Sequence, residues 1–293
     1  MAEVITAGVD GTDESLAALD WAAREAVRRG LALRVVHAWR FQQYDTVGRV
    51  DREGQERGAR GLADEAARTV TGRHPGLEVG TAAPEGTPAG ELAGSAADTE
   101  MLVIGSRGHG RVVGFLLGSV GRQVVAEATR PVVLVRAGDR PEDEAAGRDV
   151  VVGQQGGPDD SAPLLRFAFE AAAARGATVR VVRAWTLPPV FAYSPGSMKL
   201  LDDAGGPVPF EEAALTEAVR PWRERFPDVP VVEHLEMGSA GQVLLSAAGT
   251  AQLTVVGRRA HRGAVGARIG SVAYGVLHHA ECPVAVVPHP AAG

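Results

Sequence analysis

The stretch Met101-Leu-Val-Ile-Gly-Ser-Arg-Gly108 joins a short apolar run to a glycine-rich turn, and Gly118-Ser119 follows after nine further residues. The apolar run predicts a buried β-strand, and the residues after Gly118 predict the start of a helix. A glycine-rich turn exposes backbone N–H groups, and a following helix N-terminus adds further donors and the positive end of its dipole. The stretch therefore predicts an α/β fold with a phosphate-binding turn between a strand and a helix.

A second, altered copy of this pattern lies at Gly257-Arg-Arg-Ala260, again followed after nine residues by Gly270-Ser271. Residues 29–39 are similar to residues 175–185 at an offset of 146, and residues 131–135 are similar to 283–287 at an offset of 152. The chain is therefore interpreted as one unit duplicated, with about six residues added in the second copy. The predicted domains span 1–138 and 148–293, and the polar, acidic segment 137–149 is predicted to be an exposed linker.

Composition excludes several classes of function. A length of 293 residues suits about two domains, and the net charge of −6 disfavours nucleic acid and anionic membranes as partners. The single cysteine, Cys282, excludes an intrachain disulfide and disfavours a cysteine-based metal site. The first residues lack the basic and apolar regions of a signal peptide, and no apolar run approaches the ~20 residues of a membrane span. These features predict a cytoplasmic protein.

The first half alternates between predicted strands and predicted helices. Strands are predicted at 4–9, 33–38, 77–82, 101–104 and 132–135, with helices at 51–73, 88–97 and 119–128. Asp13 is predicted to cap the first helix, whose predicted apolar face comprises Leu16, Leu19, Ala23, Ala26 and Val27. Such alternation predicts a parallel sheet covered by helices on both faces. Ligands of these sheets bind at the carboxyl ends of the strands, where Asp10 and Gly105 lie.

The sequence resembles the universal stress protein family over nearly its whole length, in two copies. The resemblance rests on Gly8-Val-Asp-Gly-Thr12, Val35-Val-His-Ala38, Val103-Ile-Gly-Ser-Arg-Gly108, Gly118-Ser-Val120 and Pro131-Val-Val-Leu-Val135. It implies two tandem Rossmann-like, flavodoxin-like α/β domains, each with a five-stranded parallel sheet in the order 3-2-1-4-5. It also implies bound ATP, with or without Mg²⁺, and dimerisation, often through the fifth strand.

The first copy matches the family's nucleotide motif completely. The resemblance implies nucleotide contacts from Asp10, Gly11, Ala38, Gly105, Arg107, Gly108, Gly118, Ser119 and Val120. The Asp10 carboxylate would accept hydrogen bonds from ribose or adenine, and Ala38 would face the adenine through its backbone. Gly105 and Gly108 would let the chain approach the phosphates without an intervening Cβ. Helix capping is the alternative for Asp10, and it is less favoured because Asp13 is predicted to provide the cap.

The second copy departs from the motif at two positions. Gln155 stands in place of Asp10, and Ala260 stands in place of Gly108, where a positive φ would cost alanine roughly 1 kcal/mol. A second, weaker site is predicted at Gly257, Arg258, Gly270, Ser271 and Val272. The sequence therefore predicts a full nucleotide site in the first half and a weak or empty one in the second.

The sequence carries no Walker A lysine, kinase signature, Ser-His-Asp order or metal-ligand spacing. We therefore expect an ATP-binding stress-response regulator without catalytic residues or a metal site, which acts through an unspecified protein partner or its oligomeric state. The two domains are expected to form an internal pseudo-dimer, and the chain a homodimer. A slow ATPase or nucleotidyl-transfer enzyme and a dimerisation module without nucleotide are the alternatives. Residues 186–209 suit a lid, a partner-binding segment or a surface loop equally.

Overall fold

The computed structural model describes residues 4–42, 51–106, 117–139, 141–145, 147–187, 206–260 and 269–290. The elements of the first domain are β1 (Val4–Gly8), α1 (Asp13–Arg29), β2 (Ala32–Val36), α2 (Arg52–Arg73), β3 (Val79–Ala82), α3 (Pro88–Ser95), β4 (Met101–Gly105), α4 (Ser119–Glu127) and β5 (Val132–Val135). A short helix, α5 (Pro141–Ala145), lies in the linker. The elements of the second domain are β6 (Asp149–Gly153), α6 (Pro158–Arg175), β7 (Val179–Trp185), α7 (Val208–Arg225), β8 (Val231–Met237), α8 (Ala240–Ala248), β9 (Ala251–Ala260), α9 (Ser271–His279) and β10 (Val284–Pro290).

One sheet runs through both domains in the order β3-β2-β1-β4-β5-β10-β9-β6-β7-β8. Within each domain the neighbouring strands are parallel. Each half therefore has the predicted order 3-2-1-4-5. At the centre β5 and β10 pair antiparallel, with Val284 opposite Leu134 and Val286 opposite Val132. The two repeats thus pack as an internal pseudo-dimer through their fifth strands.

Helices cover both faces of this sheet, as the alternating pattern predicts. Buried residues of α1, α2, α6 and α7 pack on one face, and buried residues of α3, α4, α8 and α9 pack on the other. In the first domain the chain changes face between β1, which leads into α1, and the neighbouring β4, which leads into α4. Sheets of this type bind ligands in a crevice where the chain changes direction, which here is at the carboxyl ends of β1 and β4.

Helix α1 differs from its prediction in its cap and in its buried face. Thr12, and not Asp13, is the N-cap residue, because the Thr12 side chain accepts a hydrogen bond from the N–H of Ser15. Leu16 and Val27 are 42% and 52% exposed and do not belong to the apolar face. The buried side includes Trp21 as well as the predicted core positions, because α1 packs against the sheet and also against α6 of the second domain.

The contact between α1 and α6 is built around Glu25, which is fully buried. Its carboxylate binds Arg29 of the same helix at 2.5 Å and Arg175 of α6 at 2.8 Å. The two arginines occupy matching positions of the repeat, and each lies over an aromatic ring of the other domain. Arg175 stacks on Trp21 with 5.5 Å between the guanidinium carbon and the ring centroid, and Arg29 stacks on Phe167 at 5.7 Å. One carboxylate therefore serves both halves of a nearly symmetric interface.

The linker is docked on α1, whereas the sequence predicts an exposed segment. Asp139 and Glu144 have side chains that are only 6% and 5% exposed. Both bind Nη2 of Arg24, at 3.0 and 2.8 Å, and Glu144 also pairs with Arg28. An acidic composition is typical of a solvated linker, but here the tertiary fold supplies basic partners that draw the segment onto the protein.

Candidate functional site

The candidate residues of the first domain gather at one edge of the sheet. Adjacent parallel strands β1 and β4 end there, with Gly8 opposite Ile104. The first turn of α4 lies beside the end of β4, since a Cβ at Gly121 would be 3.8 Å from Cδ1 of Ile104. The structure therefore brings together the predicted residues that it describes in this half: Asp10, Gly11, Ala38, Gly105, Gly118, Ser119 and Val120. Arg107 and Gly108 lie outside the described residues.

Asp10 is exposed and organises the turn that leads from β1 into α1. Its Oδ1 accepts hydrogen bonds from the N–H of Thr12 at 3.1 Å and from the Thr12 hydroxyl at 2.6 Å. The N–H of Asp10 donates to Oγ of Ser15, and Gly11 has a φ of +82° in the left-handed region that favours glycine. Part of the capping role that the sequence assigned to Asp13 thus falls to Asp10 and Thr12.

The end of β2 forms the next part of this edge. Nδ1 of His37 lies 2.8 Å from the carbonyl oxygen of Val9, and the backbone N–H of His37 donates to Ala82. His37 therefore ties β2 to the chain beyond β1. Ala38 follows directly and is half-buried, while the indole N–H of Trp39 donates to the carbonyl of Ala83.

Gly105 is required by packing inside the protein. A Cβ at this position would lie 2.6 Å from the carbonyl carbon of Glu14 and 2.8 Å from the N of Ser15, both in the backbone of α1. The sequence suggested a different reason, close approach of a phosphate to the backbone. The absent side chain allows the end of β4 to lie directly against the first turn of α1, so that the two sides of the crevice are held together.

Helix α4 presents its N-terminus to this edge. Gly118 is its N-cap residue, with φ −58° and ψ 158°, and within the described part of the chain no side chain caps it. The first N–H groups of a helix have no partner within the helix, and they carry the positive end of its dipole. Ser119 is exposed, and the first turn of α4 contains no acidic residue. The arrangement is suited to an anion.

The second domain does not repeat this arrangement. Strand β9 continues through Ala260, and Gly257 to Ala260 pair with Val287 to Pro290 of β10. The segment that the sequence interpreted as a glycine-rich turn is therefore part of a strand, whereas β4 ends at Gly105. Gly270 still forms the N-cap of α9, ahead of Ser271 and Val272. Only the helix half of the predicted second site has the geometry of the first.

Arg258, which was predicted as a residue of the second site, points elsewhere. Its side chain is buried, and Nη2 donates to the carbonyl oxygen of Ala128 in the first domain at 2.5 Å. The repeat was interpreted from the sequence as a turn, in which an arginine next to the glycine would face solvent. A strand forms there instead, and its pairing with β10 directs the Arg258 side chain toward the contact between the domains.

A polar network occupies the carboxyl edge of β6 and β7. Nη1 of Arg183 donates to Oε1 of buried Gln154 at 2.7 Å, and Nε of Arg183 pairs with Glu211 of α7 at 2.7 Å. Gln154 and Arg183 stand at the repeat positions of Val9 and His37. This network was not predicted, although an alignment of the two halves residue by residue shows both replacements. Gln155, in place of Asp10, is exposed.

Comparison with known proteins agrees with this architecture. The sequence model described as universal stress protein family matches residues 1–136 and 148–288. The chain belongs to the universal stress protein family. This universal stress protein is 32% identical over 289 residues to one from Mycobacterium tuberculosis, with 96% of each chain covered. It is 31% identical over 297 residues to one from Mycolicibacterium smegmatis, with 97% of this chain and 96% of the other covered.

A solved structure supports the fold of this universal stress protein. The crystal structure of a universal stress protein from Archaeoglobus fulgidus superposes with a TM-score of 0.73 at 16% identity, covering 98% of this chain and 99% of the other. At that identity the likeness shows the fold alone. The tandem arrangement of two α/β domains is therefore shared over the full length.

The described ranges contain no group of three or more His, Cys, Asp or Glu side chains that could hold a metal ion. None of the helices in those ranges combines the length and apolar character needed to cross a membrane. Cys282 is buried, with Sγ 3.2 Å from the Thr254 hydroxyl.

Proposed function

We propose that this universal stress protein binds an adenine nucleotide, ATP with or without Mg²⁺, in its first domain. In this proposal nucleotide occupancy regulates a protein partner or the oligomeric state of the chain. The observation that carries the proposal is the uncapped N-terminus of α4 beside the end of β4, at the sheet edge that also holds Asp10.

The residues of this edge fit the chemistry of a nucleotide. Backbone N–H groups and the dipole of α4 favour the phosphates, and the Ser119 hydroxyl adds a donor. The exposed Asp10 carboxylate can accept hydrogen bonds from ribose hydroxyls or from adenine. Gly11 and the backbone of Ala38 are proposed to line the base and sugar, and Arg107 and Gly108 are proposed to complete the phosphate contacts.

We propose one nucleotide per chain. The continued strand β9 replaces the turn that would hold phosphates in the second domain, and the network of Gln154, Arg183 and Glu211 fills the edge where a base would lie. The start of α9 at Gly270 to Val272 is proposed to bind an anion weakly at most. Domains bounded at 1–138 and 148–293 and a homodimer of the chain also remain proposals.

The proposal is tested by placing a negative charge at each helix start in turn. Gly118→Glu is expected to weaken binding of ATP–Mg by about 100-fold or more, because the carboxylate repels the phosphates at short range. Gly270→Glu is the matched control, since it makes the same change at the repeat-related position, and it is expected to bind ATP as tightly as the wild type. Affinities are measured by isothermal titration calorimetry, and circular dichroism checks that both variants are folded.

Two results would refute the proposal in different ways. Wild-type affinity in Gly118→Glu would show that the phosphates bind elsewhere. Failure of the wild-type protein to bind ATP, AMP or cyclic AMP at millimolar concentration would refute nucleotide binding itself and favour a dimerisation module.

A further inference from the structure

Arg258 is a charged side chain buried at the boundary between the domains. It is only 4% exposed, and loss of hydration lowers its pKa. Burying a guanidinium is costly unless its N–H groups find good acceptors. The carbonyl oxygen of Ala128, 2.5 Å from Nη2, is the acceptor that the structure provides within the described residues. The contact therefore joins β9 of the second domain to the first domain.

The acceptor is the residue that ends α4. Ala128 is the C-cap of this helix, with φ −58° and ψ 137°. The last carbonyl groups of a helix have no partner within the helix, and they carry the negative end of its dipole. The last turn of α4 contains no basic residue. Arg258 thus supplies from the second domain the cation that the C-terminus of α4 lacks in its own sequence.

We propose that Arg258 is a positioning residue for the nucleotide site of the first domain. It holds the C-terminal end of α4, and so it keeps the N-terminal amides of that helix aligned with the end of β4. This inference rests on the proposed function, in which those amides bind the phosphates. It assigns a role to the second domain that does not require nucleotide binding there.

The residue that matches Arg258 in the first domain makes a different contact. Ser106 stands at the position that matches Arg258, and its hydroxyl donates to the carbonyl of Val135 within its own domain at 3.1 Å. Ser106 therefore makes no equivalent contact with the end of α9 in the second domain. The duplicated halves have therefore diverged at this position.

Thermodynamic linkage makes the coupling between nucleotide binding and the contact of Arg258 with Ala128 reciprocal. If the contact between Arg258 and Ala128 raises the affinity for nucleotide, bound nucleotide must strengthen that contact by the same factor. Nucleotide in the first domain is therefore expected to protect the backbone of β9, in the other domain, from hydrogen exchange.

Three variants of the full chain test the proposal. Arg258→Met removes the donor and keeps much of the side-chain length, and Arg258→Lys keeps a positive charge. Arg259→Met is the matched control, because it removes the same charge from the exposed neighbouring residue. ATP affinity is measured for each variant by calorimetry. Hydrogen exchange of residues 119–128 and 251–260 is followed by mass spectrometry in the wild type and in Arg258→Met, with and without ATP.

We expect Arg258→Met to weaken ATP binding by about twofold to fivefold, the fold-change that corresponds to the usual contribution of a cation at a helix C-terminus. Arg258→Lys is expected to restore most of the affinity, and Arg259→Met to bind as the wild type does. ATP is expected to slow exchange in residues 251–260 of the wild type and not in Arg258→Met. A structural role alone would lower stability without this ATP-dependent protection.

The outcomes separate this inference from the proposed function. If the wild type binds ATP, and ATP leaves exchange in residues 251–260 unchanged, the inference is overturned whether or not Arg258→Met folds. Equal ATP affinity of Arg258→Met and the wild type overturns it as well. If the wild type binds no nucleotide, the proposed function fails, and the inference fails with it.

Discussion

Gly105 illustrates how a single residue shapes the candidate site from inside the protein. It lies where β4 meets the backbone of α1, so that the crevice walls depend on the absence of one methyl group. A phosphate-binding motif and tight packing would both explain a glycine here, and the sequence does not distinguish between them. The structure favours packing, because a Cβ added to Gly105 would face the backbone of Glu14 and Ser15.

Replacement of this glycine is therefore expected to cost stability even without nucleotide. Gly105→Ala should lower the free energy of unfolding by about 1–3 kcal/mol, the usual range for overpacking a tight contact. Urea denaturation of the nucleotide-free protein measures the effect. The matched control is Gly80→Ala in β3, where the structure leaves open space around the new methyl group. A Gly105→Ala variant as stable as Gly80→Ala would contradict the packing argument.

Several residues of the site follow from the sequence, and others do not. The positions of Asp10 and Gly105 at strand ends follow from the alternation of strands and helices, because parallel strands end at a common edge. The Thr12 cap and the burial of Arg258 do not follow. The first depends on backbone geometry at the start of α1, and the second depends on pairing between strands that are distant in sequence.

At the scale of elements, α2 is rich in glycine without an evident need for it. A Cβ at Gly58 or Gly61 would meet no heavy atom within 4 Å among the described residues, apart from the backbone of the helix itself. Glycine inside a helix loses more conformational entropy on folding than alanine does. Helix α2 is therefore less stable than its packing allows.

Substitution in α2 is expected to stabilise the protein. Gly58→Ala and Gly61→Ala should each raise the free energy of unfolding by about 0.5–1 kcal/mol. Thermal and urea denaturation of the single variants and of the pair measure this gain. A loss of stability in either variant would mean that the backbone at that glycine is held by a partner.

The bounds of a strand or helix could be predicted well where its local sequence determines where it begins and ends. The fifth strand of the first half, Val132–Val135, was predicted to the residue, and α2 begins one residue after its predicted start, at Arg52. The extension of β9 to Ala260 could not be predicted, because it exists through its pairing with β10. Local patterns indicate a turn there, and tertiary pairing overrides them.

At the scale of the whole molecule, charge holds the two domains and the linker together. Glu144 is buried in the linker, and burial alone would raise its pKa, but Arg24 and Arg28 outweigh that effect and hold it below the usual value of 4.5. Arg175 and Arg29 likewise lower the pKa of the buried Glu25 against the effect of its desolvation. Both carboxylates therefore stabilise the fold in their ionised form.

This arrangement predicts a loss of stability in acid. A carboxylate whose pKa is lower in the folded state stabilises the protein fully above its unfolded pKa. That stabilisation disappears as the pH falls below about 4.5 and through the folded pKa. Glu144→Gln should reduce the free energy of unfolding by about 1–3 kcal/mol at pH 7 and should make its decline between pH 5 and pH 3 less steep.

Urea denaturation at a series of pH values tests this prediction. Glu217→Gln is the matched control, because Glu217 forms a comparable pair with Arg220 that is exposed to solvent. The control is expected to leave both the stability and its pH dependence unchanged. Equal acid sensitivity of Glu144→Gln and the wild type would show that the docked linker contributes nothing to holding the molecule together.

The overall architecture could be predicted from the sequence because the same pattern of strands and helices occurs twice. Two copies of a strand-and-helix pattern predict two similar domains, and the strand order and contact through the fifth strand followed from the family resemblance. The antiparallel pairing of β5 with β10 was not predicted. The shared carboxylate at Glu25 was not predictable, since its repeat position holds Ala171 and the pattern of neither half indicates a buried charge.

We propose that duplication left one working nucleotide site, supported by a second domain that does not bind nucleotide. The number of ATP molecules bound per chain at saturation, measured by native mass spectrometry and confirmed by equilibrium dialysis, is the decisive measurement for this proposal. We expect one per chain. Two per chain would contradict the reading of β9 and the Arg183 network as closing the second site, and none would contradict nucleotide binding itself.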